Sequence, residues 1–128
     1  MRTALACLLL ALLLGLPSLG RGQVCQGLDN QLLPMPSSYE VLTVAASPIA
    51  LTAAKYTQGG YNAALAQLTV EGAALSYTLD GTAPTSTVGH KLDVGSNANL
   101  CGLEAIKAFR AIQVSGASTL KVTYWRAR

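Results

Sequence analysis

Short runs in which apolar and polar residues alternate constrain the fold of this chain more than any other feature. The clearest runs are residues 64–70, 75–80 and 120–125. A period of two places the apolar side chains on one face of a strand and the polar ones on the other. Because glycine, asparagine, aspartate and proline separate the runs, the pattern predicts an all-β chain. We expect an antiparallel β-sandwich, Ig-like or jelly-roll-like, of about seven or eight strands.

Residues 103–111 have an ambiguous period. Leu103, Ile106 and Phe109 are spaced by three, as on a helix, and the segment is rich in good helix formers. As a strand, the segment would direct Phe109 outward and place Arg110 on the apolar face, unless a bulge near Phe109 shifted the phase. Since the neighbouring segments are predicted strands, the bulged strand is the favoured interpretation.

The N-terminus has the order of a secretory signal peptide. Arg2 supplies a positive charge, residues 4–16 form an apolar run, and small and turn-forming residues follow over 17–20. The run is shorter than the about 20 apolar residues that span a bilayer. The sequence predicts three parts, which are a signal peptide over residues 1–22, a flexible arm over 23–38 and a β-sandwich domain over 39–128. The corresponding location is a virion or the secreted or periplasmic space.

The charge balance gives no sign of a nucleic-acid partner. The 128 residues include nine basic and six acidic side chains. Removal of Arg2 and Arg21 with the signal would leave seven basic residues against six acidic ones, a net charge of +1. Basic residues do not cluster, and aromatic residues are not interleaved with them. We therefore expect neither nucleic-acid binding nor membrane attachment after signal removal.

Two cysteines remain beyond the predicted signal, which itself contains Cys7. In an oxidising compartment Cys25 and Cys101 are expected to form a disulfide within the chain. Two alternatives stay open at this stage, which are two free thiols and a bridge from Cys25 to another chain.

Groups that could perform catalysis are sparse and scattered. His90 is the only histidine, and the acidic residues stand singly along the chain. No cysteine or histidine spacing suits a metal, and no glycine-rich loop precedes a lysine-containing helix. The sequence thus predicts no enzyme, no catalytic residue, no metal and no cofactor.

The most distinctive string is residues 77–85, Tyr-Thr-Leu-Asp-Gly-Thr-Ala-Pro-Thr. A strand runs into Asp80-Gly81, where glycine accepts a positive φ and the aspartate can bond to the backbone of its own turn. Pro84 stiffens the exit. These three residues predict a well-formed turn.

The stretch from Val44 to Arg126 resembles a group of small structural proteins of tailed-phage virions. The resemblance rests on residues 47–52, on residues 77–85 followed by Gly89-His90, and on residues 109–112 with 120–124. Residues 77–85 are also similar to Ig-like modules that accompany glycoside hydrolases, in which a later Ile-Lys-Ala strand resembles residues 106–108. Both resemblances imply a β-sandwich, but they imply different partners.

The expected function is that of a non-enzymatic structural protein docking on a larger assembly. The phage resemblance implies a virion, with a capsid-decoration or head/tail accessory role, protein partners and self-association into a homo-oligomer. The alternative is a secreted or surface Ig-like module for adhesion or glycan association. The arm and the sheet edges would carry the contacts, by strand addition or by packing of exposed aromatic side chains. Tyr56, Tyr61 and Trp125 are candidate contact residues, for which partial burial in the fold is the competing explanation.

Overall fold

The computed structural model describes residues 35–127, which fold into two packed four-stranded antiparallel sheets. Sheet A has the order β1-β8-β3-β6 and sheet B the order β2-β7-β4-β5. The strands are β1 (Met35–Val44), β2 (Ile49–Ala50), β3 (Leu65–Glu71), β4 (Leu75–Thr78), β5 (His90–Leu92), β6 (Asn97–Cys101), β7 (Arg110–Gln113) and β8 (Ser118–Arg126). Two short helices, α1 (Ala53–Tyr56) and α2 (Leu103–Ala108), and a 3₁₀ turn (Gln58–Gly60) complete the described chain. The predicted all-β sandwich, with eight strands, is confirmed.

The core lies between the two sheets and follows the alternation read from the sequence. In β8 the side chains of Leu120, Val122 and Tyr124 are fully buried, and the residues between them face outward. In β3 the apolar residues with even numbers are buried in the same way. Apolar area removed from water on these inner faces is the main favourable contribution to folding.

The bulged strand expected over residues 103–111 is wrong for most of that segment. Residues 103–108 form α2, and only from Arg110 does the chain pair in sheet B. The helix buries Ile106, and Phe109, which directly follows it, is also fully buried. A continuous strand would have directed Phe109 outward, whereas the helical turn returns it to the core and starts β7 in a phase that buries Ala111.

The N-terminal part of the sandwich starts earlier than the strand-like sequence indicates. Strand β1 begins at Met35, inside the predicted arm, and pairs with β8 through a register shift between Pro36 and Ser38. Proline is compatible with this position because β1 is an edge strand. The predicted signal peptide, Cys25 and residues 23–34 lie outside the described residues. No helix within residues 35–127 has the length and hydropathy required to cross a bilayer.

Candidate docking site at the open side of the sandwich

The turn predicted from residues 77–85 connects β4 to β5. The Asp80 carboxylate accepts hydrogen bonds from the Thr82 hydroxyl at 2.6 Å and from the Thr82 amide at 3.0 Å. These bonds favour the charged form and hold the pKa of the Asp80 carboxyl below its usual value. Gly81 has a φ of +85°. The turn is exposed, so its hydrogen bonds act mainly on the local shape of the loop.

The second half of this loop folds back onto the outer face of sheet B. Pro84 is fully buried, and the Ser76 hydroxyl in β4 donates to the carbonyl oxygen of Val88 at 3.1 Å. The Val88 amide in turn donates to the Thr85 hydroxyl oxygen at 3.0 Å. The loop therefore covers β4 and explains why Ser76, a polar residue on the outer face, is buried.

Two clefts in the described part of the molecule are candidate docking sites. The larger, about 490 Å³, lies beside the covering loop on sheet B and involves no edge strand. The smaller, about 370 Å³, lies between edge strands β5 and β6 and is called the β5/β6 groove here. Its lining consists of Tyr77, Leu79, Leu92, Asn97, Ala98, Asn99 and Leu100. All of these side chains are uncharged, and Leu79 is 42% exposed. The groove is the better docking candidate because it combines apolar surface with a strand edge.

The pairing of β6 shows which of its backbone groups face the groove. Gly102 donates its amide to the carbonyl of Ala64 at 2.8 Å, and Val70 donates to the carbonyl of Ser96 at 3.3 Å. Hydrogen-bonded pairs in an antiparallel ladder recur every second residue. The even-numbered residues of β6 therefore bond to β3, and the amide and carbonyl groups of Asn97 and Asn99 point away from it. These groups form a polar edge beside the apolar groove.

The three aromatic contact candidates lie in different surroundings. Tyr56 packs on the core, with its ring centroid 6.3 Å from that of Tyr124. Tyr61 is 58% exposed, and the Arg126 guanidinium carbon lies 4.5 Å from its ring centroid. Trp125 follows the buried Tyr124 in β8 and points to the outer face of sheet A. The three rings therefore do not form one flat aromatic surface.

A buried polar cluster that the sequence reasoning missed links sheet A to the segment between β2 and α1. Glu40 is buried in β1, and its Oε1 accepts hydrogen bonds from the Tyr124 hydroxyl and from the Thr52 amide, the latter at 3.1 Å. The signal was present in the parity of β1, because Glu40 alternates in phase with Leu42 and Val44 and so had to face inward. Paired in this way, the carboxylate fastens the chain that follows β2 to the inner face of β1.

We expect the free energy of unfolding to fall at alkaline pH because of the Tyr124 phenol. Burial, and then the hydrogen bond to Glu40, raise the pKa of the Tyr124 phenol above its ordinary value of 10.0. The folded state keeps the phenol protonated while the unfolded state ionises, so the contribution is complete below about pH 10 and is lost as pH rises further. Urea unfolding should show a loss of up to about 1.4 kcal/mol per pH unit from this group.

The control for this prediction is Tyr124→Phe, whose unfolding free energy should fall less steeply above about pH 10. Lys121, whose pKa is raised by its hydrogen bond to Glu71, loses its charge in the alkaline range too but is the same in both proteins. Equal slopes in the two proteins would contradict the assignment to Tyr124.

The remaining predicted site residues lie apart. His90 is exposed at the start of β5 and contacts the Tyr77 ring at a centroid distance of 5.4 Å. Cys101 ends β6 on the outer face of sheet A, while Cys25 lies outside the described residues, so their pairing stays a prediction. Within residues 35–127, no group of three or more histidine, cysteine or acidic side chains is arranged to hold a metal.

Comparison with protein-family models, curated proteins and solved structures finds no match.

Proposed function

We propose that this chain is a non-enzymatic structural protein that docks on a larger assembly, in the first instance a phage virion. The β5/β6 groove is its docking site, and an extended, uncharged segment of a neighbouring assembly protein is the occupant. The observation that carries the proposal is the edge of β6, which pairs with no second strand among residues 35–127 and whose outward backbone groups lie directly beside the uncharged groove.

The chemistry of this edge selects its partner. The outward amide and carbonyl groups of Asn97 and Asn99 match the spacing of another extended backbone, which would add to sheet A as a further strand. Side chains of that segment would alternate between solvent and the groove, where the exposed side chain of Leu79 offers an apolar contact and the largely buried Leu92 and Leu100 form part of the wall. Since the lining is uncharged, apolar side chains fit the groove better than charged ones.

The alternative function, a glycan-associated surface module, requires aromatic rings on a common face. Of the three candidates, Tyr56 belongs to the core, the ring of Tyr61 contacts Arg126, and Trp125 lies on the outer face of sheet A. Because these three rings share no common face, they do not support the glycan alternative. The edge of β6 beside the β5/β6 groove supports the docking proposal instead.

The test is co-sedimentation with particles from the culture that produces the protein. Peptide mass spectrometry of density-gradient fractions should find the wild-type chain in the particle fraction. Asn99→Pro removes one outward amide without removing a β3–β6 hydrogen bond, and we expect it to weaken particle association by about tenfold, equivalent to about 1.4 kcal/mol.

Asn99→Ala is the matched control, because it removes the same side chain and keeps the amide. It should sediment with the particles like the wild type, and both variants should unfold cooperatively. If the wild-type chain stays in the soluble fraction, the virion assignment fails. If the proline and alanine variants bind equally well, the groove is not the docking site.

A further inference from the structure

The outer face of sheet A carries one apolar row that leads from the start of the domain to Cys101. The register places Pro36 opposite Trp125, Trp125 opposite Leu65, and Leu65 opposite Cys101, so these four residues cross the sheet in a line. The next row has Tyr39, Thr123, Gln67 and Asn99 and is mostly polar. Within β8, β3 and β6 the apolar residues of the outer face are therefore concentrated in the row that ends at the cysteine, while Tyr39 and Val41 of β1 are apolar residues in the other rows.

Trp125 has surroundings unusual for an outer-face residue. Its indole nitrogen Nε1 is buried and has no hydrogen-bond partner among the described residues. An indole N–H on a solvated face ordinarily bonds to water, and a buried one usually finds a protein partner. Leu65, its neighbour in the row, is also only half-exposed. These observations indicate that Trp125 and Leu65, in the middle of the row, are shielded from water, whereas Pro36 and Cys101 at its two ends are exposed.

The segment preceding β1 has the position, the length and the composition to provide the cover. The chain enters sheet A at Met35, opposite Arg126 and therefore beside Trp125. Strand β6 is three strands away from β1, a distance of about 15 Å at the usual spacing. The ten peptide units from Cys25 to Met35 can reach about 33 Å. Leu32 and Leu33 provide apolar side chains within that span.

We propose that residues 23–34 cross the outer face of sheet A of their own chain, cover Leu65 and Trp125, and are fastened by a Cys25–Cys101 disulfide. In forming the bond, the two thiols transfer two electrons and two protons to a disulfide-bearing oxidoreductase, which becomes a dithiol. The strap leaves the β5/β6 groove open, because it approaches Cys101 across the face of the sheet. The inference is independent of the proposed function.

Trp125 is the only tryptophan in the chain, so its fluorescence reports directly on the cover. The experiment uses the protein purified from its secreting cell, with peptide mass spectrometry without reduction to establish the linkage. We expect a Cys25–Cys101 peptide within a monomer. Reduction with dithiothreitol, or Cys25→Ser, should shift the emission to longer wavelength and at least double the acrylamide quenching constant.

Far-UV circular dichroism separates the loss of the strap from the loss of the fold, since the sheet signal should persist on reduction. Tyr39→Ser, one row away on the same face, is the control that should leave the quenching constant unchanged. The proposal is overturned if quenching is the same before and after reduction of the folded protein, if the unreduced protein contains no such bond, or if Cys25 links two copies.

Discussion

Replacing Phe109 with alanine is expected to lower the free energy of unfolding by about 3–5 kcal/mol, the range for truncating a fully buried aromatic residue. Phe109 is fully buried where α2 gives way to β7, and its ring stacks on that of Tyr77 at a centroid distance of 5.7 Å. The loss combines the removed apolar surface with the cavity that the surrounding sheets cannot close. Urea unfolding followed by circular dichroism measures it.

The control is Tyr39→Ala, which truncates an aromatic side chain that is 50% exposed on β1. We expect it to cost less than about 1 kcal/mol, as is usual for surface substitutions. The comparison also discriminates between the two interpretations of residues 103–111. A bulged strand would direct Phe109 outward, and its truncation would then be as mild as that of Tyr39. Similar losses for the two variants would contradict α2.

Replacing Gly89 with alanine is expected to destabilise the protein by about 3 kcal/mol or more, because steric overlap and backbone strain add. Gly89 has a φ of +132°, and a Cβ added there would lie 2.5 Å from the Ser76 hydroxyl oxygen and 2.8 Å from the carbonyl oxygen of Tyr77. The second of these atoms belongs to the backbone of β4 and cannot rotate away. Thermal and urea unfolding measure the loss.

Gly81→Ala separates strain from overlap. Gly81 lies in the same loop with a φ of +85°, but a Cβ added there would have no neighbouring atom within 4 Å. Its substitution should lower the free energy of unfolding only by the strain of a positive φ at a non-glycine residue, about 1 kcal/mol. The double variant Ser76→Ala/Gly89→Ala should remain destabilised, because the Tyr77 carbonyl still blocks the site. Equal effects at the two glycines would refute the close packing of the loop on β4.

The strands were predictable where one face of the sheet is buried, because period-two alternation is a local property that survives in the sequence. Leu68 and Val70 in β3, like Val122 and Tyr124 in β8, are buried as their positions indicate. The segment 103–108 was not predictable in the same way, because its threefold spacing suits a helix while its predicted neighbours favoured a strand. The helix is favoured by packing, because it places Phe109 in the core, whereas a continuous strand would direct this side chain outward.

The candidate site was predictable only in kind. The class of fold led us to expect strand addition at a sheet edge. Which strand lies at an edge depends on the strand order, and this order places β3 and β8 in the centre of sheet A and β6 at its edge. No periodicity encodes that order, because it follows from which faces pack together once the chain has folded. The strand order and packing also place the three aromatic candidates, Tyr56, Tyr61 and Trp125, in different surroundings, which the sequence pattern did not indicate.

The sequence by itself determined the class of fold, the inner and outer faces of the long strands and the turn at Asp80-Gly81, because each depends on residues close together in the chain. Tertiary structure alone decided that Glu40 bonds to Tyr124, 84 positions away, and that Gly89 lies against β4. It also decided that Leu79 and Asn99 border one groove. These contacts join distant segments, so their partners are set by sheet order and packing rather than by local pattern.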